Sequence, residues 1–172
     1  MDKTRSKKTI AIFGGSFDPP HLGHVSLIKK ILKAGLVDEI WLVPNFSHKW
    51  KKIIASPNNR FKMCQLLIKN KTKVCDIEIK REGKSYAIDT IRELKREYPG
   101  YQFYWLAGKD LLRELPKWKD PEALKKEIEF IAFPKTNVSS SKIRERIKKG
   151  LSITGLVPKK VEEYIRKHKL YV

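Results

Sequence analysis

Eleven residues near the amino terminus concentrate groups that handle phosphate: Gly14, Gly15, Ser16, Phe17, Asp18, Pro19, Pro20, His21, Leu22, Gly23 and His24. The paired glycines allow a tight turn and a close backbone approach to a ligand. Pro19 and Pro20 stiffen the loop, and Pro20 suits a helix start. His21 and His24, three apart where a helix begins, point the same way. They set two imidazoles over backbone N–H groups and a helix dipole that already favour an anion. A second cluster lies far along the chain: Val138, Ser139, Ser140, Ser141, Lys142, Ile143 and Arg144. Hydroxyls at a helix start cap it or donate to phosphate, and Arg144 adds a planar fork matched to phosphate oxygens. Taken singly, each cluster has a plainer meaning: a satisfied histidine pair, or a serine cap beside a solvated arginine. Zinc is the other chemistry open to two such histidines, but no cysteine or acidic pair nearby completes a site.

Both clusters fall where strands and helices meet. Residues 9–13 form a short apolar, β-rich run that ends at Gly14 and reads as a buried strand. Over 22–34 the apolar residues recur with a helical period and stop at Gly35. The pattern then predicts a strand over 39–43 closed by Pro44, a helix over 57–70, a strand over 74–79 and a helix over 85–97. Strands over 102–107 and 128–133 follow, with closing helices over 141–149 and 158–169. Such alternation makes an α/β fold: one domain over 1–172, a doubly wound, mostly parallel sheet covered on both faces. Residues 1–8 are expected to be a flexible basic extension. Ligands of such sheets sit beyond the carboxyl ends of the strands, near a switch in strand order. Residues directly after strands therefore matter most.

Composition narrows the possibilities. A chain of 172 residues with 41% hydrophobic residues can bury its own core. Thirty-eight Lys and Arg against nineteen Asp and Glu leave a net charge of +19, which favours polyanionic partners such as nucleotides, nucleic acid or an acidic membrane. Two cysteines, Cys64 and Cys75, cannot build a disulfide framework and read as reduced thiols. No apolar run is long enough for a membrane span, and 9–13 is too short for a secretory segment. The expected compartment is the cytoplasm.

The 14–24 string resembles the first motif of the HxGH nucleotidyltransferases, and 138–144 resembles their second. Between them the chain is similar to one branch, the bacterial nicotinate-mononucleotide adenylyltransferases. The matching pieces are Ser47-His48-Lys49, Arg60 with Met63, Ser85-Tyr86-Ala87-Ile88-Asp89-Thr90, Gly108-Lys109-Asp110, Leu115-Pro116-Lys117-Trp118, and the tail from Leu156 to Tyr171. The likeness runs from about residue 9 to the carboxyl terminus. It implies a Rossmann-like nucleotidyltransferase fold and transfer of AMP from ATP to nicotinate mononucleotide in NAD biosynthesis, giving deamido-NAD and pyrophosphate. Nicotinamide mononucleotide and phosphopantetheine are the alternative acceptors. A basic nucleic-acid-binding protein is the reading from a different class, and no nucleic-acid motif supports it.

The resemblance also implies roles. His21, His24, Lys49 and Arg144 would be catalytic, with His24 donating to the α-phosphate as charge builds there. Gly14, Gly15, Ser16, Phe17, Gly108, Asp110, Ser139, Ser140 and Ser141 would bind ATP, Asp110 through the ribose. Ser85, Tyr86 and Ala87 would offer backbone N–H groups to the pyridine carboxylate, and Trp118 would stack on the pyridine ring. Phosphates favour a charged imidazolium and the helix end opposes it, so the residues leave the protonation state open. Mg²⁺ is expected, bound mainly through substrate phosphates, with Asp18 at most a weak ligand. Four departures stand out: Ala87 for Thr, Lys109 for a small residue, Ser141 for Thr, and a short path between Phe133 and Val138. Acid or amide acceptor, oligomeric state and metal ligands are not set by these residues.

Overall fold

Strand β1 (Lys8–Gly15) has an unbroken apolar run because it lies mid-sheet and is covered on both faces. Ala11 and Phe13 face one cluster of buried side chains, Ile10 and Ile12 the other. The computed structural model describes residues 7–134 and 136–172. In chain order they form β1, α1 (Leu22–Lys33), β2 (Glu39–Pro44), α2 (Pro57–Gln65), β3 (Thr72–Val74), α3 (Ile77–Arg81) and α4 (Ala87–Glu97). There follow β4 (Tyr101–Gly108), α5 (Lys109–Glu114) with a 3-10 turn over Leu115–Lys117, α6 (Pro121–Glu127), β5 (Glu129–Phe133), α7 (Ser140–Lys148) and α8 (Lys159–Lys167).

The sheet is five-stranded in the order β3-β2-β1-β4-β5, and every pairing is parallel. Chain order reverses direction at β1, so its carboxyl end and that of β4 diverge into a crevice. Leu27, Ile28 and Ile31 of α1, Met63 and Cys64 of α2, Ile143 of α7, and Val161 and Ile165 of α8 fill one side. Ile77 of α3, Ile88, Ile91 and Leu94 of α4, and Leu124 of α6 fill the other. Among the described residues no helix is long and apolar enough to cross a membrane.

The expected strand over 74–79 is corrected. Pairing with β2 ends as the Cys75 N–H donates to the Leu42 carbonyl at 2.8 Å, and the chain coils into α3 to bury Ile77. Burial against the sheet overrides the β-propensity of Ile77 and Ile79. The helix expected over 57–70 stops at Gln65, because the chain must reverse to enter β3 parallel to β2. Lys71, at φ 65°, completes that reversal. Helices α5 and α6, too short for a clear period, were not expected from the pattern. Of the basic stretch 1–8, residues 1–6 lie outside the described residues, and Lys8 opens β1 with its ammonium on the Glu39 carboxylate.

Candidate active site

The first motif leaves β1 at its carboxyl end and enters α1 at His21. Gly14 is required there: a Cβ would stand 2.7 Å from the Trp105 ring of β4. Phe17, at φ 49°, turns its ring inward, edge-to-face with Phe13 (5.5 Å between centroids) and with His24 (5.0 Å). It backs the imidazole from below. The two imidazoles stack, with centroids 3.6 Å apart and planes 23° apart. Gly23 permits this, since a Cβ would sit 2.9 Å from the His21 ring and 2.8 Å from Thr136 Oγ1.

Protonation follows from this packing. The His21 backbone N–H donates to His24 Nδ1 at 3.1 Å. That nitrogen must carry a lone pair, so His24 is neutral with its proton on Nε2, a donor. Burial, with His21 alongside, pushes the His24 pKa well below the usual histidine range. Burial likewise lowers His21 to about 4, and His21 Nδ1 is buried with no partner among the described residues. Burial thus favours the neutral form of both rings in the free protein.

The second motif comes to the first. Ser140 Oγ donates to the Pro19 carbonyl at 2.8 Å, and Arg144 Nη1 donates to the Asp18 carbonyl at 2.6 Å. These bonds join residues more than 120 positions apart, two or three residues ahead of His21. Within α7, Ser139 caps the helix by accepting from the Lys142 N–H at 3.3 Å, and exposed Ser141 lies 3.4 Å from Arg144 Nη2. So Ser139 and Ser140 hold backbone, while Arg144, half-buried, keeps N–H donors for a ligand.

Asp18 and Arg60 lock the floor. The buried Asp18 carboxylate accepts from the Ile54 N–H (2.8 Å), the Ala55 N–H (3.0 Å) and the Tyr171 hydroxyl (2.8 Å). Arg60 is 0% exposed and donates to the carbonyls of Ala55, Ser16, Asn45 and Phe46 and to Asn45 Oδ1. It ties the ends of β1 and β2 to α2. The resemblance singles out both Arg60 and Tyr171 without giving either a role, and the structure supplies one for each.

Other expected residues gather around the crevice. Gly108 closes β4 and caps α5, whose first turn holds Asp110. Ser16 Oγ accepts from Asn45 Nδ2 at 3.3 Å. Ser85 Oγ accepts from the Phe46 N–H at 3.0 Å, and no side chain caps α4 at Tyr86, so its first-turn N–H donors stay available. Trp118 packs edge-to-face on Trp105 at 6.3 Å, the ring that covers Gly14. Lys119 then binds Asp89 at 2.8 Å and lies 4.9 Å from the Tyr86 ring centroid, joining the Trp118 segment to Ser85, Tyr86 and Ala87. Lys49 stands apart: exposed on the loop after β2, its ammonium 5.3 Å from the Trp50 ring centroid. Thr136, after Phe133, packs against Gly23 at the start of α1.

The donors here suit a phosphate better than a metal cage. Asp18 accepts from three protein donors, and among the described residues no three His, Cys, Asp or Glu cluster as a metal site. A hard cation fits this place when phosphates and water supply its ligands.

Residues 12–146 match the cytidylyltransferase-like family. A nicotinate-nucleotide adenylyltransferase of Bacillus subtilis (strain 168) is 36% identical over 95% of this chain and 98% of its own. A Shouchella clausii (strain KSM-K16) protein named for the same activity is 40% identical over 95% of this chain and 97% of its own. The chain belongs to the nicotinate-nucleotide adenylyltransferase family. Its fold is also that of the Plasmodium falciparum nicotinic acid mononucleotide adenylyltransferase solved with NaAD, at a TM-score of 0.77 and 23% identity over 95% of this chain and 97% of that one. As a nicotinate-nucleotide adenylyltransferase family member, the protein holds its histidine and serine–arginine motifs together through direct bonds.

Proposed function

We propose that this protein transfers the adenylyl group of ATP to nicotinate mononucleotide, forming deamido-NAD and releasing pyrophosphate. The observation that carries the reading is the bonding of Ser140 and Arg144 to the carbonyls of Pro19 and Asp18, beside the stacked imidazoles. It gathers imidazole, guanidinium and helix N–H donors beyond the carboxyl end of β1.

Direct transfer to the acceptor phosphate needs no nucleophile from the protein. An oxygen of the acceptor phosphate attacks the α-phosphorus in line, a new P–O bond forms, and the bond to the departing pyrophosphate breaks. His24 donates through Nε2–H to an α-phosphate oxygen as negative charge gathers there. Arg144 and the first turn of α7 hold the β- and γ-phosphates, and His21 supports the stack. Gly14, Gly15, Ser16 and Phe17 line the approach from β1, and Gly108 and Asp110 receive the ribose at β4. Tyr86 and Ala87 offer N–H groups to the pyridine carboxylate, Ser85 shapes that turn, and Trp118 covers the ring. Lys49 meets the triphosphate if its loop closes over the crevice. Mg²⁺ held by the substrate phosphates and water would neutralise charge on the triphosphate. The compartment that fits these substrates and two reduced cysteines is the cytoplasm.

Purified protein, ATP, Mg²⁺ and nicotinate mononucleotide should release pyrophosphate and yield the dinucleotide. His24→Ala should lower turnover at least roughly 100-fold while keeping the fold, the scale of losing one transition-state donor. Wild-type turnover in that variant removes His24 from the chemistry. Faster turnover on the amide or on phosphopantetheine reassigns the acceptor.

A further inference from the structure

After α8 the Leu170 N–H donates to the Ile165 carbonyl at 3.0 Å, and Tyr171 turns back into the protein at φ 67°. A bulky residue is strained in that left-handed region and stays there only where its surroundings hold it. What holds Tyr171 lies at the site. The residue is 5% exposed, and its hydroxyl donates to Asp18 Oδ1 at 2.8 Å. No step of the reaction above uses this hydroxyl.

Asp18 is a shared acceptor with a cation beside it. Oδ1 takes the Tyr171 hydroxyl and the Ala55 N–H, and Oδ2 takes the Ile54 N–H. Two of these three donors are main-chain groups; the third is the phenol. Asp18 is 3% exposed, so water does little to satisfy it. Arg144 Nη1 stands 3.8 Å from Oδ2, beyond hydrogen-bond length, and bonds instead to the Asp18 carbonyl at 2.6 Å. A guanidinium and a carboxylate this close attract, and a two-pronged pair is the strongest arrangement open to them. Each donor already on the carboxylate weakens that pull.

We propose that Tyr171 is a positioning residue for Arg144: by donating to the Asp18 carboxylate it keeps that carboxylate from capturing the guanidinium, which stays turned to the triphosphate. This rests on the reading of Arg144 given above. Without the hydroxyl, Oδ1 keeps one donor, the carboxylate pairs with Arg144, and the guanidinium is drawn off the phosphates. A second bond from the same tail supplies the comparison. The Tyr164 hydroxyl donates to Asn59 Oδ1 of α2 at 2.9 Å and makes no bond to Asp18.

The test is calorimetric binding of a non-hydrolysable ATP analogue with Mg²⁺ to the wild type, Tyr171→Phe, Tyr164→Phe, Arg144→Ala and the Tyr171→Phe/Arg144→Ala double variant. Phenylalanine fills the space of either tyrosine, and melting of the same samples reads stability separately. Tyr171→Phe should weaken binding about tenfold, the scale of one hydrogen bond to a charged group. Tyr164→Phe should stay within about twofold, whatever it costs in stability. Arg144→Ala should weaken binding at least about tenfold. Adding Tyr171→Phe to it should then change binding by less than about twofold, because both act through one guanidinium. Wild-type binding by Tyr171→Phe, an equal loss in Tyr164→Phe, or an undiminished Tyr171→Phe loss in the Arg144→Ala background overturns the proposal and leaves the reaction assignment standing. Wild-type binding by Arg144→Ala removes Arg144 from the triphosphate, and the role of Tyr171 falls with it. A wild type that binds the analogue but makes no dinucleotide refutes the acceptor instead, and the same variants still decide for Tyr171.

Discussion

Replacing Gly23 by alanine pits two effects of known size against each other. In the first turn of a helix Ala is favoured over Gly by up to about 1 kcal/mol. Against that, the added Cβ meets the His21 ring at 2.9 Å and Thr136 Oγ1 at 2.8 Å, closer than real Cβ contacts allow. Thr136 lies on a connection tied by its own bond to the Val138 carbonyl at 2.9 Å, and His21 is wedged against His24. Neither moves freely. Overpacking of this kind costs about 1–3 kcal/mol, so the net change is a loss of roughly 0–2 kcal/mol. At 172 residues that lowers the melting temperature by up to about 6 °C. Activity should suffer far more. A shift of about 1 Å in the His21–His24 stack is expected to cut kcat about 100-fold. Thermal unfolding and steady-state pyrophosphate release, measured on the same preparation, read the two effects apart. A variant that melts higher than the wild type and turns over at the wild-type rate refutes the claim that this glycine exists to seat the imidazoles.

Arg60→Ala should lose about 3–5 kcal/mol, because four carbonyls and an amide oxygen lose a buried cation; a denaturant titration showing under about 1 kcal/mol, the scale of a surface ion pair, contradicts the hub. Acid should destabilise the fold through the histidines. His21 has a folded pKa near 4 against about 6.5 unfolded, so the unfolded chain takes up the proton first and stability falls as pH drops across that window, by up to about 3 kcal/mol. Urea midpoints between pH 7 and 4 should show the decline, and His21→Asn should flatten it in part, His24 supplying the remainder. Trp118→Ala should raise KM for nicotinate mononucleotide roughly 3- to 12-fold, the scale of one lost ring stack, and leave KM for ATP unchanged; a matching rise for ATP places Trp118 elsewhere.

Much of this arrangement was legible because it depends on local rules. Glycines, a stiff proline pair and a helical period locate the start of α1, and parallel alternation puts that start at a carboxyl strand end. Legibility ended where long-range packing decides. The coiling of Ile77 into α3 is set by β2, which takes up the Cys75 N–H and ends the ladder. The bond from the Ser140 hydroxyl to the Pro19 carbonyl spans 121 residues, and no local pattern shows it. Tyr171 reaches Asp18 across 153 residues, and nothing in either residue's neighbours announces it. Glu78 was equally silent, since a glutamate in a charged segment reads as surface until it is found buried and bound by the Thr90 hydroxyl.

A crystal structure with a non-hydrolysable ATP analogue tests the central claim most directly. Triphosphate oxygens should lie within about 2.7–3.2 Å of His24 Nε2 on one side and of the Arg144 guanidinium on the other. A triphosphate held by one motif alone, or seated away from both, contradicts the account.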